Sequence, residues 1–181
     1  MRVARKEIQE RQLVEELLAG EPVGRLGTVG EDGYPMIKPL NFVYRQGLIY
    51  FHSAMEGEKI EAIRRDGRVC FEVDVPIACV KGKGENPCKT GYLYRSVIIR
   101  GKARLVADLA EKVAALRALM EKYEPQGGHG AFPEETLART AVVRIEIAEM
   151  TGKEDLGQGE VRENALEILE QRLPPPVLER R

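Results

Sequence analysis

Residues 24–75 read GRLGTVGEDGYPMIKPLNFVYRQGLIYFHSAMEGEKIEAIRRDGRVCFEVDV. Val23–Val29 has the length and composition of a strand. Glu31-Asp32-Gly33 supplies a hairpin turn, because Asp tolerates the turn conformation and Gly supplies positive φ. Tyr34–Tyr44 is a second strand, interrupted by Pro35 and Pro39. Proline donates no ladder hydrogen bond, so this strand is an edge, bulged or irregular near Pro39. Arg45-Gln46-Gly47 turns the chain again, and Leu48–Phe51 is a short apolar run suited to burial on both faces. Glu56–Arg65 fits a short helix with Ile60 and Ile63 facing inward. In Arg68–Val75, Val69, Phe71, Val73 and Val75 alternate with Arg68, Cys70, Glu72 and Asp74, the pattern of a half-buried strand.

Upstream, residues 3–19 predict a helix with Ile8, Val14, Leu17 and Leu18 on one face, stopped by Gly20 and Pro22. Downstream, Ile77–Val80 either continues the strand past Pro76 or pairs with it. Lys81–Thr90 is a polar, glycine-rich loop whose Lys81, Lys83 and Lys89 form a small basic cluster. Tyr92–Val106 is the longest strand candidate, with Gly101 at a bulge or close approach. Leu109–Tyr123 predicts a helix capped by Asp108, with Glu111 as capping-box partner. Glu124–Pro133 is a flexible loop carrying His129, and Thr140–Met150 is the last strand. Val161–Leu173 predicts a final helix, ended by Pro174-Pro175-Pro176. Six or seven strands joined mostly by hairpins, without βαβ alternation, argue for an antiparallel barrel with peripheral helices. Residues 1–155 form that domain with its N-terminal helix, and 156–181 form a helical or loose tail.

Composition narrows the function classes. The 181 residues carry 28 basic and 29 acidic side chains, a net charge of −1, so no global basic field invites nucleic acid. No run is long enough to span a membrane, and the charged N-terminus lacks the apolar core of a signal peptide. Cys70, Cys79 and Cys88 read as reduced thiols in a cytoplasmic protein. Their spacing matches no zinc pattern, so no metal site is expected.

The chemistry concentrates at Phe51-His52-Ser53 and Lys59, where a strand ends and a helix begins. A hydroxyl, an imidazole, an ammonium and helix N–H groups together suit a phosphate. The plainer alternative makes Ser53 a helix-entry cap and Lys59 a solvated lysine, and Glu56 and Glu58 oppose an anion there. His52 ends a strand and titrates near neutrality, so it is either a chemical group or a structural one.

The ordered segments GRLGT, YPMIKPLNFVY, LIYFHSAMEGEKIEAI, VCFEVD, YRSVIIRGKARLV and AEMTGK, over roughly residues 10–155, resemble the FMN-binding split-barrel superfamily of pyridoxamine-5′-phosphate oxidase. Within it the chain looks like the nitroimidazole-resistance, or Nim-like, branch. The resemblance implies a mainly β, antiparallel, Greek-key-like split barrel. It also implies a homodimer with FMN at the subunit interface. It places Lys38, Pro39, Leu40 and Asn41 beside the isoalloxazine, His52 and Ser53 on the phosphate side, and Lys59 on the phosphate. Ser96 stands where the oxidase has a flavin-contacting glutamine.

Two departures stand out. No arginine opens the second strand near Pro35, and no histidine follows His129. Oxidation of a B6 vitamer is therefore not expected. The expectation is an FMN-dependent oxidoreductase passing electrons to a small acceptor, such as a nitro-aromatic, with His52 as the catalytic candidate. The alternatives are a non-catalytic flavin-binding or storage protein, or a haem- or deazaflavin-binding member of the superfamily. No dinucleotide fingerprint is present.

Overall fold

A computed structural model describes residues 3–82, 84 and 86–173. Lys83 of the basic loop and Pro174–Pro176 lie outside the described residues. After a short 3-10 turn, Ala4–Lys6, the elements are β1 (Glu7–Ile8), α1 (Arg11–Gly20), β2 (Gly24–Val29), β3 (Pro35–Leu40), β4 (Val43–Arg45), β5 (Leu48–Ala54), α2 (Glu58–Arg65), β6 (Arg68–Val80), β7 (Gly91–Leu105), α3 (Leu109–Tyr123), α4 (Glu134–Arg139), β8 (Thr140–Asp155) and α5 (Glu160–Glu170). The strands form one eight-stranded antiparallel sheet in the order β3-β2-β6-β7-β8-β5-β4, with β1 on β8. The non-consecutive neighbours β2–β6 and β5–β8 make the path Greek-key-like, and the sheet curls into a split barrel.

The two turns behave as their residues dictate. Asp32 Oδ1 accepts from Tyr34 N at 3.0 Å and Gly30 N donates to Tyr34 O at 2.7 Å, with Gly33 at φ +85°. Gln46 and Gly47 both take positive φ, +52° and +79°, as a tight hairpin between twisted strands requires.

The split has a location. β3 and β4 are consecutive in the chain and form the two ends of the sheet path, joined only through Asn41-Phe42. Pro35 and Pro39 deny β3 two of the N–H groups that a second ladder would need. Side chains fill this seam instead. Phe42 is fully buried and meets Phe71 edge-on, ring centroids 4.9 Å apart. Tyr123, at the end of α3, accepts from Phe42 N at 2.8 Å, and its hydroxyl proton is shared between Pro22 O (2.7 Å) and Phe42 O (2.9 Å). Lys122 stands 3.8 Å over the Phe42 ring and donates to Leu18 O at the end of α1; burial lowers its pKa to about 8.

The barrel interior is built from Leu26, Ile49, Phe51, Ile60, Phe71, Val73, Val75, Ile99, Val143 and Ile145, all nearly solvent-free. Tyr50 and Val142 point outward and are covered by Ala115, Leu116 and Leu119 of α3, so β5 is buried on both faces. A third, smaller cluster sits under α5, around Leu93, Leu156 and Ala165. Gly101 is a forced glycine: a Cβ there would stand 2.5 Å from Glu146 O, at the register shift that bends β7 against β8.

Several sequence expectations change. The predicted N-terminal helix from residue 3 is a turn and a short strand before α1, because Ile8 pairs with Gly152 of β8. The Tyr34–Tyr44 strand is two strands broken at Asn41-Phe42. β6 runs on to Val80, absorbing Pro76 at a register shift, and β8 runs to Asp155. Helix α4 lies just beyond the predicted loop. Asp108 caps α3 by accepting from Glu111 N at 2.7 Å, yet Glu111's carboxylate turns to Tyr50 and Arg144 and closes no capping box.

Tyr123→Phe leaves Phe42 N–H without its partner in a part-buried seam. Urea unfolding should show a loss of about 1–3 kcal/mol with unchanged m-value. A loss below roughly 0.5 kcal/mol would mean that the tyrosine does not hold the seam.

Candidate anion-binding site

The seam creates the site. β4 pairs with β5 only over Leu48–Tyr50, whereas β5 continues on β8 to Ala54. The last part of β5, carrying His52 and Ser53, therefore has one strand edge free of β4. Strict alternation buries Phe51 in the barrel and leaves His52 largely exposed. The chain then bends through Gly57, at φ +113°, into α2. No side chain caps this helix, so Ser53 is not its cap, and no capping side chain satisfies the N–H groups of its first turn.

Lys59 lies on the first turn of α2 and donates to Ser53 Oγ at 2.7 Å. It has no carboxylate partner among the described residues, and partial burial, then the nearby charge of Lys38, lower its pKa. Lys38 reaches in from β3, where it shares the inner face with Met36 and Leu40, and donates to Glu58. The protein packed beneath the His52 ring, and then the charge of Lys59, hold the imidazole below its usual pKa. Lys59 and Lys38 thus meet at an uncapped helix start, His52 is near enough to feel the Lys59 charge, and Glu58 is the carboxylate paired with Lys38. That arrangement is costly when empty and favourable around an anion. A phosphate monoester fits the donor set: two ammonium groups, a hydroxyl, an imidazole and backbone N–H groups.

The other sequence candidates are placed differently. Pro39 and Leu40 continue β3 past Lys38, with Pro39 exposed and Leu40 packed against the core. Asn41 is tied to Pro22 O at 3.3 Å. Ser96 pairs across β7–β8 with Lys153, whereas Ser53 pairs with Ala141, so the two serines lie at opposite ends of β8. Within one chain Ser96 does not join the cluster. Lys38, expected beside a flavin ring, lies near enough to Lys59 for its charge to lower the Lys59 pKa. The Met36-Lys38-Leu40 alternation already signals that Lys38 faces inward.

An antiparallel split barrel with a cationic cradle at its seam defines the class. The family model described as pyridoxamine 5′-phosphate oxidase matches residues 10–154, and the chain belongs to that family. Among solved structures it is similar to a candidate 5-nitroimidazole antibiotic resistance protein from Bacteroides thetaiotaomicron (26% identity, TM-score 0.72, covering 81% of this chain and 85% of that one). It is also similar to a FAD-binding protein from Mesorhizobium loti (27% identity, TM-score 0.57, 81% and 95%). A flavocytochrome from Azotobacter vinelandii shares the fold over the whole chain (20% identity, TM-score 0.79, 100% and 87%). A search of curated proteins returns no match. No helix among the described residues is long and apolar enough to cross a membrane.

Because Lys59 contributes to lowering the His52 pKa, Lys59→Met should shift the His52 titration upward when followed by NMR. An unchanged midpoint would show that the two groups do not share a field.

Proposed function

We propose that the chain is an FMN-binding oxidoreductase whose cofactor phosphate is held by Lys59, Ser53, His52 and Lys38. One observation carries this reading: the Lys59–Ser53 pair at an uncapped helix start, with two further basic groups and no neutralising carboxylate on Lys59. Family membership and the likeness to proteins named for flavin binding support it. FMN would supply the redox chemistry at its ring. Pro39, Leu40 and Asn41 would flank that ring. Ser96, remote from the cradle in its own chain, would contribute from a second copy.

The residues have separable roles. Lys59 and Lys38 supply charge, Ser53 fixes the Lys59 ammonium, and the helix start supplies N–H donors. His52, neutral near pH 7 because its pKa is lowered, accepts a proton at a ring nitrogen when a dianion arrives. A small acceptor would meet the reduced ring, away from this phosphate cradle. The likeness to a candidate nitroimidazole-resistance protein favours a nitro-aromatic as that acceptor. The reading also places the protein in the cytoplasm.

Lys59→Ala should weaken FMN roughly ten- to a hundredfold, the worth of a charge-assisted hydrogen bond. Ser53→Ala should cost less, and riboflavin affinity should hardly change in either variant. Equal losses for both flavins would mean that these residues support the fold and not the phosphate. His52 sets the pH dependence: its lowered pKa must rise on binding, so FMN should bind more tightly as pH falls from 8 toward 6.5, and His52→Gln should flatten that slope. As a test of turnover, anaerobically reduced protein should be reoxidised by a nitro-aromatic faster than free reduced FMN. Failure there, with FMN binding intact, would make it a binding protein.

The second copy has a surface to use. The outer face of β3-β2-β6-β7 leaves Ile37, Ile98 and Val29 at 70%, 51% and 48% exposure. Beside them an open groove of ≈720 Å³ runs along Gly27, Met36, Cys70 and Gly101. We assign this face to a twofold dimer contact. Light scattering should give twice the 20.3 kDa chain mass, and Ile37→Glu should halve it. A monomer that still binds FMN tightly would contradict the dimer.

A further inference from the structure

A second concentration of positive charge lies at the other end of α2. An open groove of ≈580 Å³ is lined by Ile63, Arg64, Arg65, Asp66, Gly67 and Arg68 on one wall, and by Lys102, Ala103, Arg104 and Leu105 of β7 on the other. Gly67 sets the closeness of the two walls. Its carbonyl accepts from Ala103 N at 2.7 Å, and a Cβ on it would stand 2.7 Å from Ala103 O.

The lining holds five cationic side chains, Arg64, Arg65, Arg68, Lys102 and Arg104, against Asp66 in the lining and Glu146 beside Arg104, a formal surplus of three in a chain of net charge −1. The strand register makes this more costly. Arg68 stands directly opposite Lys102 across β6–β7, and Arg104 directly opposite Arg144 across β7–β8. Like charges in directly opposed positions destabilise a sheet. Neutralisation inside the protein is partial. Arg68 is clasped by Asp66, whose carboxyl it holds down to about 2. Arg104 has Glu146 at 3.8 Å, and Arg144 is served by Glu111 and Glu146. Arg65 and Arg64 donate to neutral carbonyls, of Val29 at 2.6 Å and Met55 at 3.2 Å, which fix their guanidinium groups without cancelling the charge. Lys102 stands opposite Glu146 across β7–β8 but makes no salt bridge among the described residues.

We propose that this groove is a binding site for a diphosphate-bearing small molecule, separate from the seam cradle. Charge decides the class: a phosphate monoester carries at most two negative charges and would leave part of the surplus uncompensated. Two linked phosphates match it more closely and span both walls. Guanidinium forks suit phosphate oxygens, and the groove has the size of a small-ligand site. Binding relieves the Arg68–Lys102 opposition, so it stabilises the fold.

The test titrates inorganic pyrophosphate by calorimetry, at low and moderate salt, into the wild type, Lys102→Gln/Arg104→Gln and Lys59→Met. Both groove positions are exposed, so circular dichroism should show an unchanged fold. The double variant should bind pyrophosphate at least about tenfold more weakly. With FMN present, Lys59→Met should leave the groove's pyrophosphate affinity within about twofold of wild type. Without ligand at low salt, the double variant should melt no lower than wild type, because it removes a repulsion. Three results would overturn the proposal: no pyrophosphate binding by wild type, a loss confined to Lys59→Met, or binding of an acidic peptide where pyrophosphate does not bind. The titrations are run with saturating FMN, which fills the seam, so that the isotherm reads the groove.

Discussion

The structure depends on one unmade ladder. β3 carries two prolines, so it pairs with β2 and goes no further, and the barrel closes through the chain at Asn41-Phe42 instead of through hydrogen bonds. Every buried polar group released by that choice needs another partner. Tyr123 and Asn41 supply several of them around Phe42 and Pro22. The cost is therefore met by α3, which lies far away in sequence. This is why a helix that otherwise covers β4, β5 and β8 ends in the consecutive pair Lys122-Tyr123.

The same unmade ladder makes a site available. Had β4 followed β5 to its end, His52 and Ser53 would be locked among ladder neighbours. As built, the end of β5, the start of α2 and the inner face of β3 come together, and each brings a group that can carry positive charge. Such groups do not gather for stability: partial burial and mutual repulsion lower the pKa values of both His52 and Lys59. That electrostatic cost is one that a bound anion would relieve. The two ends of α2 share this logic, one facing the seam and the other facing the groove beside β7.

Much of this was legible in the sequence, and what was not has a common cause. The alternation in Arg68–Val75, the Asp32-Gly33 and Gln46-Gly47 turns, the Asp108 cap and the bend at Gly101 are local effects, and local chemistry states them. The prolines of β3 correctly announced an edge. Ser53 and Lys59 could be singled out because a strand end and a helix start adjoin within a few residues. Non-local pairing is what the sequence withheld. Ile8 reads as part of a helix until it is placed on Gly152. Glu111 reads as a capping-box partner until Tyr50 and Arg144 are beside it. Lys38 could be given a flavin-contacting role, but its nearness to Lys59 depends on how the sheet curls. The opposition of Arg68 to Lys102 exists only once the register is known, so no scan of charge along the chain would reveal it.

The central claim is that the seam holds a phosphate dianion by direct contact with basic groups. Phosphorus-31 NMR of the FMN-loaded protein reads that contact without reference to turnover. The account predicts a bound resonance whose titration midpoint lies clearly below the value near 6 of a free phosphate monoester, and which moves back toward that value in Lys59→Ala. A bound FMN whose phosphate titrates as it does in free solution, in wild type and variant alike, would contradict the account.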